Sequence, residues 1–180
     1  YDLGDIVLSA GYDHTNFWVF EQAYSYLDYQ EDTLSPQISL KVSPTITAGL
    51  STAFSDTRYD QNVQNNSTSV SVGPFVTTQI SENLSANAAV GAYFADYDHG
   101  GLNGDDSNNL TYSGSLGLNH RINEVLSESM TAGRESIPGL TSNYTERVYA
   151  NYSNTWQATP FMSVGMTLWW ENLDDSAAIQ

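Results

Sequence analysis

Apolar and polar residues alternate along most of this chain with a period of two. Near the C-terminus, Met162, Val164, Met166, Leu168 and Trp170 alternate with Ser163, Gly165, Thr167, Trp169 and Glu171. Side chains of an extended strand point to opposite faces in turn, so such a segment has one apolar face and one small or polar face. The longest stripe is Leu84, Ala86, Ala88, Val90, Ala92 and Phe94; others are Ile6, Leu8, Ala10 and Tyr12, and Ile38, Leu40 and Val42. Glu128 breaks the stripe of Leu126, Met130 and Ala132, and Glu146 and Asn154 interrupt that of Tyr144 to Trp156. Helical periodicity is almost absent. Nine strands are predicted, at 4–17, 34–43, 45–59, 67–79, 84–98, 109–121, 126–136, 143–157 and 161–172.

The connections alternate short and long. Short turns fall at Pro44, at Glu82-Asn83, at Asn123-Glu124 and at Pro160, where Pro and Asn supply turn chemistry. Longer links run from Trp18 to Thr33, Asp60 to Asn66, His99 to Asn108 and Ile137 to Ser142. This rhythm predicts an up-and-down antiparallel meander with all tight turns at one end.

Alternation alone does not say which face is wet. A soluble sandwich points its apolar stripe inward, whereas a transmembrane barrel points it at lipid. Composition separates the two. Only 14% of the 180 residues are charged, and Lys41 is the single lysine. The polar faces carry Ser69, Ser71 and Gly73, then Ser85, Asn87 and Gly91, then Thr111, Ser113 and Ser115. Solvent-facing strands ordinarily carry charges that guard against aggregation, while a confined lumen accepts small neutral groups. Aromatics gather near predicted strand ends: Phe54, Tyr59, Phe94, Tyr97, Tyr112, Tyr144 and Trp170 toward the long loops, Trp156 and Phe161 at a short turn. Such girdles mark the two interfaces of a membrane barrel. Acid collects in or beside the long loops, at Glu21, Asp28, Glu31, Asp32, Asp60, Asp98, Asp105 and Asp106. The longest nearly apolar run, residues 88–95, is far short of the ~20 residues a spanning helix needs, whereas ten-residue strands suffice to cross.

Residues 116–124 (Leu-Gly-Leu-Asn-His-Arg-Ile-Asn-Glu), 143–152 (Asn-Tyr-Thr-Glu-Arg-Val-Tyr-Ala-Asn-Tyr) and 162–166 (Met-Ser-Val-Gly-Met) resemble outer-membrane β-barrel proteins of Gram-negative bacteria, of the porin type. The resemblance is one of style over most of the chain, strongest after residue 109, and rests on no invariant motif. It implies an outer-membrane location, short periplasmic turns and long outer loops; porin-like diffusion is implied more weakly, because the fold hosts many functions. The expected fold is thus all-β, one antiparallel up-and-down transmembrane β-barrel domain over 1–180, whole or part of a larger barrel. Bacterial single-chain barrels have even strand numbers and leave no edge in lipid. Nine strands therefore imply further strands at the ends, a tenth within 18–33, or closure by another chain. The tail after Glu171 also lacks the terminal aromatic such barrels usually show. The chain opens without Met or a signal peptide, as expected of a processed or excised segment.

On the polar parity, Lys41, Glu135, Arg147, Trp169 and Glu171 are the candidate lumen residues. Charged residues inside a barrel pair with one another and tune what passes, and scarce bases predict a preference for cations or neutral solutes. Asp96, Asp98, Asn103, Asp105 and Asp106 form an oxygen-rich loop of the kind that suits Ca²⁺, although the spacing does not match an EF-hand and solvated acid is the plainer reading. Apart from that loop-bound calcium, no cofactor is expected. The three histidines, His14, His99 and His120, show no metal spacing and no nucleophile elbow. A barrel hydrolase would need a His and an acid converging at the loop end, for which Asp13 and His14 are the candidates. Four Asn-x-Ser/Thr matches, at Asn66, Asn109, Asn143 and Asn151, are expected by chance in so polar a chain. There is no cysteine, which excludes disulfides and thiolate chemistry. A formal charge of −16 excludes nucleic acid as a partner. The expected partners are a lipid bilayer, lipopolysaccharide bridged by divalent ions, and further membrane subunits or copies of the chain. The expected function is a passive porin-like channel or a structural outer-membrane component, not an enzyme. The rivals are a secreted β-sandwich binding carbohydrate through exposed aromatics, and a lipid-modifying barrel enzyme.

Overall fold

The computed structural model describes residues 5–140 and 142–176. Its nine strands are β1 (Ile6–Phe17), β2 (Tyr29–Ser43), β3 (Ile46–Tyr59), β4 (Ser67–Ser81), β5 (Leu84–Tyr97), β6 (Asn109–Arg121), β7 (Leu126–Pro138), β8 (Tyr144–Thr159) and β9 (Met162–Asp175). They form one antiparallel sheet in sequential order, with β1 and β9 at its two ends. The predicted strands therefore appear in the predicted places, and the short and long connections segregate to opposite ends. The largest boundary error is in β2, which starts at Tyr29 rather than 34. Residues 18–33 hold no tenth strand, only a 3-10 helix at Gln22–Leu27 ahead of that extension. No described helix is long and apolar enough to cross a membrane, which says nothing of crossing by strands.

Register carries one parity across the whole sheet. Ser9 faces Gln37, Gln37 faces Ser51, Ser51 faces Gly73, and Ser71 faces Tyr93. Gly91 faces Ser113, Ser115 faces Gly133, Gly133 faces Tyr149, and Tyr149 faces Glu171. Odd-numbered positions thus share one face from β1 to β9, and even-numbered positions share the other. A slip of one residue in any ladder would break this agreement. β-Bulges precede three of the four short turns, at Lys41/Ser43, Gln79/Ser81 and Gln157/Thr159, and bend the sheet there. At Gly73 the backbones of β4 and β5 approach so closely that an added Cβ would lie 2.0 Å from the Val90 carbonyl oxygen.

The odd face is the inner one, and lines the cavities that the sheet encloses. The even face is apolar and open: Val90 is 57%, Leu116 64% and Val164 51% exposed. Among the described residues, the buried apolar side chains are Ala95 and Tyr97 alone. A sandwich would require a second layer against the even face, and the strands form a single sheet. In water that face would forfeit about 25 cal/mol for every Å² of apolar surface left wet. So extended an exposed apolar surface on a single sheet is the pattern of a transmembrane β-barrel rather than of a soluble sandwich.

The sheet is not uniform at its long-loop end. The β6–β7 ladder stops at Gly114–Arg134, although β5–β6 continues to Ala95–Asn109 and β7–β8 to Pro138–Tyr144. Beyond Gly114 the two strands part, and the upper β7 and β8 lie across the inner face of β5 and β6. Asn109 Nδ2 donates to Ser136 Oγ at 2.7 Å, Thr111 Oγ1 donates to Glu146 Oε1 at 2.8 Å, and Tyr144 stacks on Tyr97 with centroids 6.4 Å apart. This overlap explains why Glu146 interrupts the apolar stripe of β8, and why Arg134 stands at an even position of β7. Arg134 pairs with Glu146 and sits 4.1 Å over the Tyr112 ring. Their even parity turns them toward β6 rather than out to open surface.

Candidate functional site

The candidate site is the inner face of the sheet. Its middle is lined by Ser51, Ser71, Gly91, Ser113 and Ser115, with Tyr149 and Glu135 across from them, around a cavity of about 320 Å³. Small residues on β3–β6 leave most of this space open, and the larger Arg134 and Glu135 on β7 and Tyr149 on β8 line its other side.

Of the five candidate lumen residues, three come together. Arg147 on β8 donates from Nε to Glu135 Oε1 on β7 at 2.9 Å, and its Nη1 lies 3.7 Å from Glu171 Oε2 on β9. The Arg147 guanidinium also lies 5.0 Å from the Tyr149 ring centroid. Register brings this about, because Glu135 is directly opposite Arg147 and Glu171 is opposite Tyr149, one inward position away. One cation between two carboxylates leaves a net negative patch on the inner wall. Lys41 and Trp169 share the inner parity but stand apart from it: Lys41 is opposite Thr47 near the short turns, and Trp169, on β9, is opposite Asn151 on β8.

The oxygen-rich loop is a knot of protein hydrogen bonds. Asp105 is buried, and its carboxylate accepts from the Asn143 and Ser107 backbone N–H groups at 2.8 and 2.9 Å and from the Ser107 and Ser176 hydroxyls. Burial acts to raise its pKa, but these donors outweigh burial and hold the carboxyl below the ordinary Asp range. Asn65 Nδ2 donates to the Asp105 carbonyl and to Asn143 Oδ1, both at 2.8 Å, so three long loops are tied to one another. The other candidate ligands are elsewhere or otherwise engaged. Asp96 is on the outer parity of β5; Asp98 accepts from Asn66 Nδ2 at 2.9 Å; Asn103 spends its amide on Gln64 and Asn143; and Asp106 is 4.0 Å from His99. Among the described residues, no group of three or more His, Asp or Glu side chains is arranged to hold a metal ion.

Asp13 and His14 do not converge, because neighbours on a strand face opposite sides. Asp13 is on the inner face and accepts from Thr15. His14 is on the outer face, with Nδ1 2.8 Å from Asp32 Oδ1 and Nε2 2.9 Å from Asn16 Nδ2, and Tyr12 donates to the same Asp32. His120 is also on the outer parity, 3.1 Å from Glu128, which accepts from the Tyr152 hydroxyl as well.

The aromatic residues divide differently from the sequence expectation. Phe54, Phe94, Tyr112 and Tyr12 are exposed on the outer face toward the long loops, and Trp156 and Phe161 are exposed near a short turn, as girdles require. Tyr59 and Tyr97 are odd-numbered and turn inward. With Phe17 and Tyr29 they continue an inner row of rings: Phe17 stacks on Tyr29 at 5.2 Å, and Tyr29 meets Tyr59 at 5.6 Å. Parity, counted from the alternating stripe, was the signal in the sequence that could have assigned them.

A second cavity, of about 240 Å³, lies under the overlap and the loop knot. Its wall includes Glu31, Thr57, Tyr59, Tyr93 and Tyr97 from β2–β5, closed by Asn65, Asn143 and the end of β7 at Ile137 and Pro138.

No protein-family model matches the chain, and no curated protein sequence is similar to it. A solved structure of the Pseudomonas putida toluene transporter TodX is similar, with a TM-score of 0.50 and 10% identity, over 95% of this chain and 65% of the transporter. A second crystal structure of that transporter matches with a TM-score of 0.45, 10% identity and coverage of 95% and 64%. The likeness is one of fold: the single sheet of nine sequential antiparallel strands superposes on part of that transporter. The chain spans 65% of the length of the transporter it matches. At 10% identity the likeness concerns fold alone, so the lumen chemistry must be read from this chain's own residues.

Proposed function

We propose that this protein is a passive channel of the bacterial outer membrane, its even face against lipid and its odd face lining the route for small hydrophilic solutes. The carrying observation is the inside-out division of the sheet: Val90, Leu116 and Val164 lie open on one face, while Ser51, Ser71, Ser113 and Ser115 surround space on the other. The similar solved structure is described as a toluene transporter. The lumen here is rich in hydroxyls and ion pairs, which favours solutes that hydrogen-bond over hydrocarbons. Acids outnumber bases on the inner face of the strands: Asp13, Glu31, Glu135, Glu171 and Asp175 oppose Lys41, Arg121 and Arg147, which favours cations. Full-length protein inserted in a planar bilayer is expected to conduct, with a reversal potential in a salt gradient that shifts toward cations. Silent bilayers containing correctly folded protein would remove the channel reading.

A further inference from the structure

The second cavity is too specific in its lining to be only a stretch of passage. Glu31 is the one charged side chain on its wall. Its oxygens accept from Thr57 Oγ1 at 3.0 Å and from Thr33 Oγ1 at 3.4 Å, both neutral donors. Among the described residues no basic side chain pairs with it, in contrast to Glu135, Glu171 and Glu146. A carboxylate in a half-enclosed site keeps much of its attraction for a cation, because little water is present to screen it. The same wall presents the rings of Tyr59, Tyr93 and Tyr97, whose negative π-faces attract cations that are weakly hydrated. Ile137 and Pro138 complete an apolar side that would receive carbon substituents.

We propose that this cavity binds a small organic ammonium ion, its charge held by Glu31 and its carbon groups against the three tyrosines. A metal ion fits the wall poorly, because one carboxylate among hydroxyls and rings offers few hard ligands and much π-surface. The proposal rests on the inner-face reading above only in regarding the cavity as part of the route; binding itself needs no transport.

The test uses folded full-length protein in detergent micelles, with choline as the probe and its uncharged isostere 3,3-dimethyl-1-butanol as control. Choline is expected to bind and to change tyrosine fluorescence, and the isostere to bind at least about tenfold more weakly. Glu31→Gln, with heat-modifiable gel migration matching wild type, is expected to weaken choline about tenfold, and Tyr97→Leu by several-fold. Should Glu31→Gln fail to fold, the wild-type comparison of choline with its isostere decides alone. Equal binding of the two, absence of choline binding, or an unchanged affinity in folded Glu31→Gln would overturn the proposal. Current without choline binding sinks this site and leaves the channel reading standing; choline binding without current does the reverse.

Discussion

Replacing Leu116 by Arg tests the inside-out division most directly. Leu116 is on β6, between Ala88 and Ala132 in the ladders, in the middle of the even face, and 64% exposed. If that face meets hydrocarbon, a guanidinium there costs about 2–4 kcal/mol near the bilayer midplane, a loss of about 30- to 700-fold in the folding equilibrium. Ser115→Arg is the control, one residue away on the same strand. Its side chain would enter the 320 Å³ inner cavity, whose wall includes Glu135, and the expected change is within about 1 kcal/mol. Urea titrations of full-length protein folding into phosphatidylcholine vesicles would measure both. A Leu116→Arg protein as stable as wild type, or a Ser115→Arg protein that is the worse of the two, would refute the assignment of faces, since a protein with its apolar stripe inside penalises a different set of positions.

Gly73→Val is expected to cost about 1–3 kcal/mol, because its Cβ would meet the Val90 carbonyl oxygen at 2.0 Å, while Gly11→Ala, with open space within 4 Å, is expected to be neutral; thermal midpoints of the folded proteins would check the pair. The loop knot should loosen in acid. Asp105 is held below its ordinary value of 3.8, so its bonds contribute stability that is present above the unfolded-state value and is lost as pH falls through the lower folded value. Amide exchange at Asn143 and Ser107 should therefore accelerate as pH drops from about 5 toward 2 after correction for intrinsic rates. Asp105→Asn should exchange fast already at neutral pH; exchange that ignores both changes would show that the knot is held by other contacts.

The sequence by itself determined the local structure of this protein. Alternation over residues 84–94 and 162–170 makes two-faced strands because the side-chain period of a strand is two, and Pro44, Asn83 and Pro160 end them because of their backbone chemistry. The same parity already contained the inner face, including Glu135 and Arg147, which register then joined. Breaks in the stripe were misleading where tertiary structure intervened. Glu146 looks like a fault in a lipid-facing stripe, yet it pairs with Arg134 beside Tyr112 where β7 and β8 leave the ladder and cross the inner face. Asp105 looks like a free acid in a loop, yet Asn143, Ser107 and Ser176 use its carboxylate. Ser107 apart, these outcomes depend on groups from 12 residues apart, as Arg134 and Glu146 are, to 71 apart, as Asp105 and Ser176 are, meeting in space. A period of two carries no information about such meetings. Only the packing of the sheet's upper edge, where hydrogen-bonded ladders end and side chains must find other partners, decided them.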